Sequence, residues 1–353
     1  MIKYLKLLLW PVSLLYGGIM RVRNLFYDVG LFAVQRYDLP VIAVGNLTVG
    51  GTGKTPHVEY LLRLLGKYRT ATLSRGYKRK SSGFLLADEQ STATTLGDEP
   101  FQYHRDFPGV SVAVCEKRAK GMELLQHLVP DLDLVVLDDA MQHRAVAPSL
   151  NLMLTDFNRP FYRDFVLPAG LLREPRRGAR RASAVIVSKC PPNLNASLRR
   201  TITQHVSKYT AAGTPVFFSS FTYGTPVAVG NQLKLSKELI LLTGIANPAP
   251  LQQYLASEGY TIRQVLVYPD HHQYTMQDLI KVKKLLQDPN LQGASVLTTR
   301  KDAVKLLDES LVGMTQQLPV FYIPIEVEFQ ENAVQFDELV LRHVQARLRH
   351  SVH

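Results

Sequence analysis

Cysteine is scarce in this chain, with Cys115 and Cys190 as the two cysteines among 353 residues. Neither belongs to a Cys-x-x-Cys pair, so the spacing indicates neither a zinc site nor a disulfide scaffold. The sequence also lacks internal repeats and low-complexity tracts. With 46% hydrophobic and 20% charged residues, the composition is that of a globular chain rather than a disordered or fibrous one, and the length suffices for two domains.

Acidic residues are outnumbered, with 30 Asp and Glu against 41 Lys and Arg and a pI near 9.5. This balance favours anionic partners such as nucleotides, phosphorylated substrates, nucleic acid or acidic lipid headgroups. We do not expect nucleic acid, because the sequence lacks a recognised nucleic-acid motif and a basic stretch with interleaved aromatic residues. No obligate protein partner is evident either.

The N-terminus lacks a run long enough to span a bilayer. Residues 7–20 form an uncharged run of fourteen residues, shorter than the ~18–20 that a spanning helix needs, and Pro11 interrupts it. Basic residues flank the run on both sides, namely Lys3, Lys6, Arg21 and Arg23. We predict that residues 1–25 form a helix at a membrane interface that contacts anionic lipid. An ordinary packed helix and a signal peptide are the alternatives.

Short apolar runs alternate with helical patterns along the chain. The predicted strands of the first half are residues 41–44, 70–73, 111–114, 134–137, 152–154 and 185–187. This alternation predicts an α/β fold with a mostly parallel sheet covered by helices on both faces. The pattern changes near residue 215, where 216–221 and 227–235 resemble the strands of a hairpin or of a two-stranded connector between domains. We therefore predict a nucleotide-binding domain (26–215), a β-hairpin connector (216–236) and a smaller α/β domain (237–353).

A glycine-rich loop lies between the first predicted strand and a helix. Residues 50–55 read Gly-Gly-Thr-Gly-Lys-Thr, and such loops direct backbone N–H groups and a helix N-terminus at phosphates. Lys54 can reach the β- and γ-phosphates, and the Thr55 hydroxyl can bind Mg²⁺. Thr48 stands where the usual phosphate loop has glycine. The predicted nucleotide-binding residues are Thr48, Val49, Gly50, Gly51, Thr52, Gly53, Lys54 and Thr55.

Two carboxylates end the apolar strand at 134–137. Asp138 and Asp139 are in the position where phosphate-loop enzymes hold Mg²⁺, although aspartate also serves as a turn or cap residue. Asp98 precedes a predicted helix and is either a helix cap or a general base. The basic stretch at 173–181 is either an anion-recognition element or a solvated surface.

Two other motifs bear on a second metal site and on the choice of nucleotide. Residues 270–272 read Asp-His-His, but adjacent histidines rarely bind one metal and no third ligand is evident. Residues 299–302 do not match the Asn-Lys-x-Asp motif with which GTPases read guanine. We therefore expect ATP as the nucleotide.

The motifs together resemble one family, the tetraacyldisaccharide 4′-kinases, which are the lipid A 4′-kinases of Gram-negative bacteria. The residues that carry the resemblance are 44–56 (VGNLTVGGTGKTP), 74–77 (SRGY), 97–100 (GDEP), 138–143 (DDAMQH), 167–175 (LPAGLLREP), 270–272 (DHH) and 298–304 (TTRKDAV). They run in order through most of the chain. Thr48 in place of glycine is typical of this family.

The resemblance implies an ATP- and Mg²⁺-dependent kinase that phosphorylates the 4′-hydroxyl of a lipid A disaccharide-1-phosphate precursor. It implies a peripheral protein on the cytoplasmic face of the bacterial inner membrane. It assigns Asp98 as base with help from His271, Lys54 to catalysis, and Thr55, Asp138, Asp139 and Glu174 to the metal. The implied nucleotide- or substrate-contacting residues are Arg75, Arg118, Gln142, His143 and Arg173.

Two positions depart from the family pattern. Ala140 replaces a common glycine, and Arg300 replaces a common glutamate, so we assign Arg300 no role. Two other functional classes remain as alternatives: a phosphate-loop ATPase switch without a lipid acceptor, and a basic, non-catalytic membrane- or nucleic-acid-binding protein.

Overall fold

Two β-sheets organise the part of the chain that the computed structural model describes, which comprises residues 9–231, 234–245, 247–269 and 272–350. The strands are β1 (Val41–Asn46), β2 (Thr70–Ser74), β3 (Leu85–Leu86), β4 (Ser111–Val114), β5 (Leu134–Asp138), β6 (Leu150–Asp156), β7 (Ala184–Ser188), β8 (Val216–Tyr223), β9 (Val227–Ala228), β10 (Glu238–Thr243), β11 (Thr261–Val267), β12 (Ser295–Thr299), β13 (Val320–Ile323) and β14 (Ile325–Phe329).

The helices connect these strands and cover the sheets. They are α1 (Trp10–Asp28), α2 (Lys54–Leu64), α3 (Ala93–Leu96), α4 (Asp98–Asp106), α5 (Arg118–Leu128), α6 (Ala196–Ser207), α7 (Ala249–Ser257), α8 (Met276–Leu286), α9 (Arg300–Leu306), α10 (Val312–Thr315) and α11 (Ala333–His350). Short 3₁₀ turns add Phe161–Arg163, Arg176–Arg181 and Pro289–Leu291.

The larger sheet has the strand order β14-β8-β7-β6-β1-β5-β2-β4-β3. Its central strands pair in parallel, and β1, β5, β6 and β7 are buried along their whole length. Helix α2 packs on one face with Val58 and Leu61, whereas α5 packs on the other with Met122 and Leu125. Burial on both faces explains why these strands are continuous apolar runs in the sequence. The predicted α/β fold is confirmed.

The smaller sheet has the order β11-β10-β12-β13-β9, and only its edge strand β9 is antiparallel among the described strands. Strand β8 pairs with β7 and β14, whereas β9 pairs with β13. The two runs near residue 220 therefore join different sheets, and the predicted hairpin between them is wrong. The chain leaves the larger sheet through β8 and returns through β14, so these two strands form the connection between the sheets.

The C-terminal segment packs on the larger sheet rather than on the smaller one. Phe336, Val340 and Val344 of α11 are fully buried in the core that contains Ile42 of β1. The predicted smaller domain of 237–353 therefore differs from the packing, because β14 and α11 bury their apolar side chains against the larger sheet. The sequence pattern does not reveal which of two sheets a C-terminal segment covers.

Helix α1 lies on the larger domain with one face and leaves an apolar face exposed. Ser13 and Gly17 are buried, whereas Leu15, Ile19 and Val22 on the opposite face are more than half exposed. No helix within the described ranges is long and apolar enough to cross a membrane.

Candidate active site

The phosphate loop connects β1 to the N-terminus of α2. Gly53 caps the helix with φ of 83°, a left-handed conformation that glycine adopts without strain. A Cβ at this position would lie 2.3 Å from the Phe221 ring, so the loop also needs glycine for space. The backbone of Leu47 and Val49 is fixed by hydrogen bonds with Arg173 N and Leu171 O, both at 2.7 Å. These contacts fix the start of the loop before the helix N-terminus, a position that suits an anion such as phosphate.

Side chains from neighbouring strands also brace the loop. The Asn46 amide donates to Thr52 Oγ1 at 2.8 Å, and the Ser188 hydroxyl donates to the Thr52 carbonyl at 2.8 Å. Lys189 donates to the Gly51 carbonyl and binds Asp156 at 2.9 Å. Because strands β1, β6 and β7 are adjacent, their carboxyl ends place these side chains beneath one loop.

Lys54, Asp139 and Arg173 form a charge cluster beside the loop. Lys54 Nζ lies 3.6 Å from Asp139 Oδ1, and Arg173 donates to both Asp139 oxygens at 3.0 and 2.9 Å. Burial alone would raise the pKa of Asp139, but Lys54 and Arg173 outweigh it and hold the pKa below its ordinary value. Asp139 is therefore a carboxylate at neutral pH.

Asp138 ends strand β5 next to β1, where it pairs in register with Val44. It is 2% exposed, and Tyr103 donates to its Oδ2 at 3.1 Å. Burial raises its pKa, partly offset by Lys54. Its Oδ1 has no hydrogen-bond partner among the described residues. A buried carboxylate oxygen left over in this way beside the loop's Thr55 suits a hard cation such as Mg²⁺.

Gln142 and Glu174 form the wall behind this cluster. Gln142 donates to Asn46 O and to Glu174 Oε1, each at 2.9 Å. Glu174 is 1% exposed and also accepts from Arg181 at 2.7 Å and Asn24 at 3.0 Å. Both of its oxygens are thus engaged by protein donors. Glu174 thereby ties the 3₁₀ turn and helix α1 to the site, and its role at the metal stays a prediction.

Arg118 is buried, unlike an arginine that is exposed to bind a substrate. It is 2% exposed, and its guanidinium donates to the carbonyls of Cys115 and, at 3.4 Å, Asp138. Burial lowers its pKa to about 10. In this structure Arg118 fixes the ends of β4 and β5, so its contact with a substrate stays a prediction.

His143 and Arg75 lie near Arg118. Burial and the Arg118 charge lower the pKa of His143 to about 4, with Arg75 among the other contributing charges. His143 is therefore neutral at physiological pH and can accept or donate a hydrogen bond. Arg75 is exposed and available to an anionic ligand.

Helix α4 brings two acidic residues toward the loop. Asp98 begins the helix, and its Oδ2 lies 3.7 Å from Lys305 Nζ of the smaller domain. Burial and the Asp138 charge raise the pKa of Glu99 to about 7, with opposing contributions from Lys54 and Lys301. These interactions place the N-terminus of α4 close to the charge cluster.

The motif at 270–272 is described only at its last position. Asp270 and His271 lie outside the described residues, so the predicted role of His271 stays a prediction. His272 binds Asp278 at 3.1 Å and stacks on Tyr268 with ring centroids 4.3 Å apart. No group of three or more His, Cys, Asp or Glu side chains that could hold a metal occurs in the part of the chain that is described.

Sequence reasoning missed several residues of the site. Asn46, Ser188 and Lys189 brace the loop, Tyr103 binds Asp138, and Lys305 approaches Asp98. A signal existed for Asn46, which lies within the loop motif. The other residues lie in distant segments and belong to no motif that a local sequence pattern could reveal.

A phosphate loop, a buried acid beside it, and a cleft wall of Gln and Arg define this protein as a nucleoside-triphosphate-using phosphotransferase of the phosphate-loop class. Comparisons with known proteins narrow the class. The family model "Tetraacyldisaccharide-1-P 4'-kinase" matches residues 5–345. The tetraacyldisaccharide 4′-kinase of Parabacteroides distasonis is 43% identical, with 99% of this chain and 97% of that protein covered.

Two further relatives agree. The tetraacyldisaccharide 4′-kinase of Cytophaga hutchinsonii is 44% identical, with 92% of each chain covered. The crystal structure of LpxK from Aquifex aeolicus in complex with ATP has a TM-score of 0.75 and 29% identity, and covers 96% of this chain and 99% of that one. The chain belongs to the tetraacyldisaccharide 4′-kinase family.

Proposed function

We propose that this protein transfers the γ-phosphate of ATP to the 4′-hydroxyl of a tetraacyldisaccharide-1-phosphate in lipid A biosynthesis. The observation that carries the proposal is the cluster of Lys54, Asp138 and Asp139 beside the loop, in a chain of this family. Phosphoryl transfer needs positioned cations and acids more than covalent chemistry, and this cluster supplies both.

The loop and the first turn of α2 bind the nucleotide phosphates. Backbone N–H groups of residues 50–55 and the helix N-terminus attract phosphate oxygens. Lys54 contacts Asp139 as well as the phosphates. Arg173 fixes the Asp139 carboxylate, which in turn keeps the Lys54 ammonium in position. This arrangement neutralises charge on the transferring group.

Thr55 and Asp138 would hold Mg²⁺, with Asp139 close by. A Mg²⁺ ion held there would neutralise negative charge on the phosphates during transfer. The Tyr103 hydroxyl fixes Asp138 Oδ2 and leaves Oδ1 for the ion.

Asp98 is the proposed general base. The 4′-oxygen forms a bond to the γ-phosphorus while the bond from that phosphorus to the β–γ bridging oxygen breaks. The hydroxyl proton passes to the Asp98 carboxylate, and ADP leaves with the bridging oxygen. His271 assists Asp98 in this proposal.

The acceptor's binding place is proposed from a cavity of about 960 Å³ between α1 and the 3₁₀ turn 176–181. Arginines and apolar side chains line it together, namely Arg21, Leu25, Arg144, Phe165, Val166 and Arg176. Such a mixture suits an anionic sugar phosphate with acyl chains. Asn24 of α1 lines the cavity and donates to Glu174 Oε2 at 3.0 Å, so the cavity adjoins the wall behind the charge cluster.

The exposed apolar face of α1 supports a peripheral position on an anionic membrane surface. Leu15, Ile19 and Val22 can enter the headgroup region while Arg21 meets acidic lipid. The cytoplasmic face of the inner membrane is the side on which ATP is available.

The proposed base is tested by phosphate transfer from labelled ATP to a tetraacyldisaccharide-1-phosphate in mixed micelles. We expect Asp98→Asn to lower kcat by at least about 100-fold with a near-normal KM for ATP. Lys67→Ala, at an exposed lysine after α2, is the control and should keep full activity. An Asp98→Asn protein with wild-type kcat would refute the base.

A further inference from the structure

Lys305 is a buried lysine at the junction of the two domains. It lies on α9 and is 3% exposed. Its Nζ is 3.7 Å from Asp302 Oδ1 on the same helix and 3.7 Å from Asp98 Oδ2 on α4 of the larger domain. Neither Lys305 Nζ nor Asp302 Oδ1 has a hydrogen-bond partner within the described ranges. The ammonium is therefore held by two carboxylates, one from each domain.

Asp302 is itself firmly fixed. Its Oδ2 accepts from Thr299 Oγ1 at 2.7 Å and from the Gly244 backbone at 3.0 Å, and the residue is fully buried. A buried carboxylate needs a cation nearby, and a buried ammonium needs an anion. Asp302 thus anchors Lys305 within the smaller domain, and the ammonium presents its charge to Asp98.

We propose that Lys305 is a positioning residue for phosphoryl transfer, whose buried ammonium, anchored by Asp302, holds the Asp98 carboxylate in place across the domain junction. The inference rests on the proposed role of Asp98 as the base. In this proposal the position of the base depends on a helix that directly follows strand β12 of the smaller sheet.

Other contacts already dock α9 on the larger domain. Arg300 Nε donates to Asp106 at 2.8 Å, and Thr94 donates to Asp308 at 3.4 Å. Val304 is buried in the cluster that contains Leu96 and Phe101. These contacts do not include Asp98. Arg300→Gln therefore removes an interdomain ion pair without touching the proposed base and serves as a matched control.

The first experiment measures kcat and the KM for ATP of Lys305→Met in the lipid-kinase assay. We expect kcat to fall about 10- to 100-fold, as misplacement of a catalytic group does, with the KM for ATP within about threefold of wild type. Arg300→Gln should keep kcat within about threefold. An equally deep loss in Arg300→Gln would assign the effect to docking and overturn the proposal.

A second variant separates positioning from stability. Lys305→Met leaves Asp302 buried without its cation, whereas Lys305→Met/Asp302→Asn removes both charges and retains the amide oxygen for Gly244. We expect the double variant to recover thermal stability but to stay slow. Recovery of wild-type kcat would mean that Lys305 serves only Asp302 and would overturn the proposal.

The Asp98→Asn background distinguishes the two proposals. If Lys305 acts through Asp98, adding Lys305→Met to Asp98→Asn causes no further loss of kcat. A further loss of about tenfold would overturn the positioning role and leave the base intact. Wild-type kcat in Asp98→Asn alone would refute the base, and the positioning role with it.

Discussion

Asp138 and Asp139 are neighbours in the chain but have opposite electrostatic surroundings. Asp138 is buried, and burial raises its pKa, whereas Lys54 and Arg173 outweigh burial at Asp139 and lower its pKa. The backbone turns sharply between them, because Asp139 has a φ of 50°. The two carboxylates therefore have different partners: Asp138 accepts from Tyr103, whereas Asp139 contacts Lys54 and Arg173.

His57 is a buried titratable residue that forms a hydrogen bond with the phosphate loop. Its Nδ1 lies 2.7 Å from the Gly53 carbonyl, and its Nε2 lies 3.0 Å from Ser219 Oγ. A carbonyl only accepts, so Nδ1 carries the proton and neutral Nε2 accepts from the Ser219 hydroxyl. Burial lowers the pKa of His57 to about 4, only partly opposed by the Gly53 hydrogen bond.

This lowered pKa predicts acid sensitivity. Between about pH 6.5 and 4 the unfolded chain binds a proton at His57 that the folded protein does not, so stability falls as the pH falls through this range. The loss approaches about 3 kcal/mol. We expect the free energy of unfolding, measured by urea titration at a series of pH values, to fall less steeply between about pH 6.5 and 4 in His57→Gln than in wild type. Parallel declines in the two proteins would contradict the assignment.

At the residue scale, the sequence predicted what is local and missed what is distant. The loop, Asp138 and Asp139 were found because a strand, a glycine-rich turn and a strand-end acid are local patterns. The hydrogen bonds of Glu174 were missed, because its partners Asn24, Gln142 and Arg181 come from three segments. Lys305 was missed because its burial depends on the approach of a second domain.

Among the elements, helix α1 has two faces with different surroundings. One face binds the site wall through Ser13, Tyr16 and Asn24, and the other exposes apolar side chains. An amphipathic helix of this kind binds membranes through its exposed apolar area. The packed-helix and membrane-interface alternatives are thus compatible on one helix.

We predict that Leu15→Glu/Ile19→Glu weakens binding to phosphatidylglycerol-containing vesicles by about tenfold or more, because both side chains leave water on binding. Vesicle co-sedimentation measures this. Leu128→Glu, at an exposed leucine on the last turn of α5, is the control and should bind normally. Unchanged binding of the α1 variant would remove α1 from the membrane contact.

Helix α11 stabilises the larger sheet although it follows the smaller domain in sequence. Phe336 is buried and stacks on Phe329 of β14 with ring centroids 4.2 Å apart. The sequence analysis assigned this segment to the smaller domain, because an apolar pattern does not show which sheet a segment covers.

We expect Phe336→Ala to lower the free energy of unfolding by about 3–5 kcal/mol, as cavities at buried aromatic positions do. Val334→Ala on the same helix removes a side chain that is 70% exposed and should change it by less than about 0.5 kcal/mol. Denaturant titration compares the two variants. Equal small effects would show that α11 contributes little to this core.

At the scale of the whole molecule, strands β8 and β14 connect the two sheets, and residues from both sheets' helices lie near Asp98. The chain crosses to the smaller sheet after β8 and returns by β14, and β8 carries Phe221 against Gly53 of the loop. Helix α9 approaches Asp98 from the smaller domain. The parallel sheet and the family were predictable from the sequence, whereas the pairing of β8 with β14 joins segments too distant for a local pattern to reveal.

This protein uses ATP to phosphorylate a lipid disaccharide, the activity that names its family. The most direct measurement follows ADP release and labelled lipid together, with and without tetraacyldisaccharide-1-phosphate in mixed micelles. We predict that ADP release depends on the acceptor, that it matches labelled lipid one to one, and that Lys54→Ala abolishes both. ADP release at the same rate without acceptor, with no labelled lipid formed, would contradict the account and indicate an ATPase that needs no lipid.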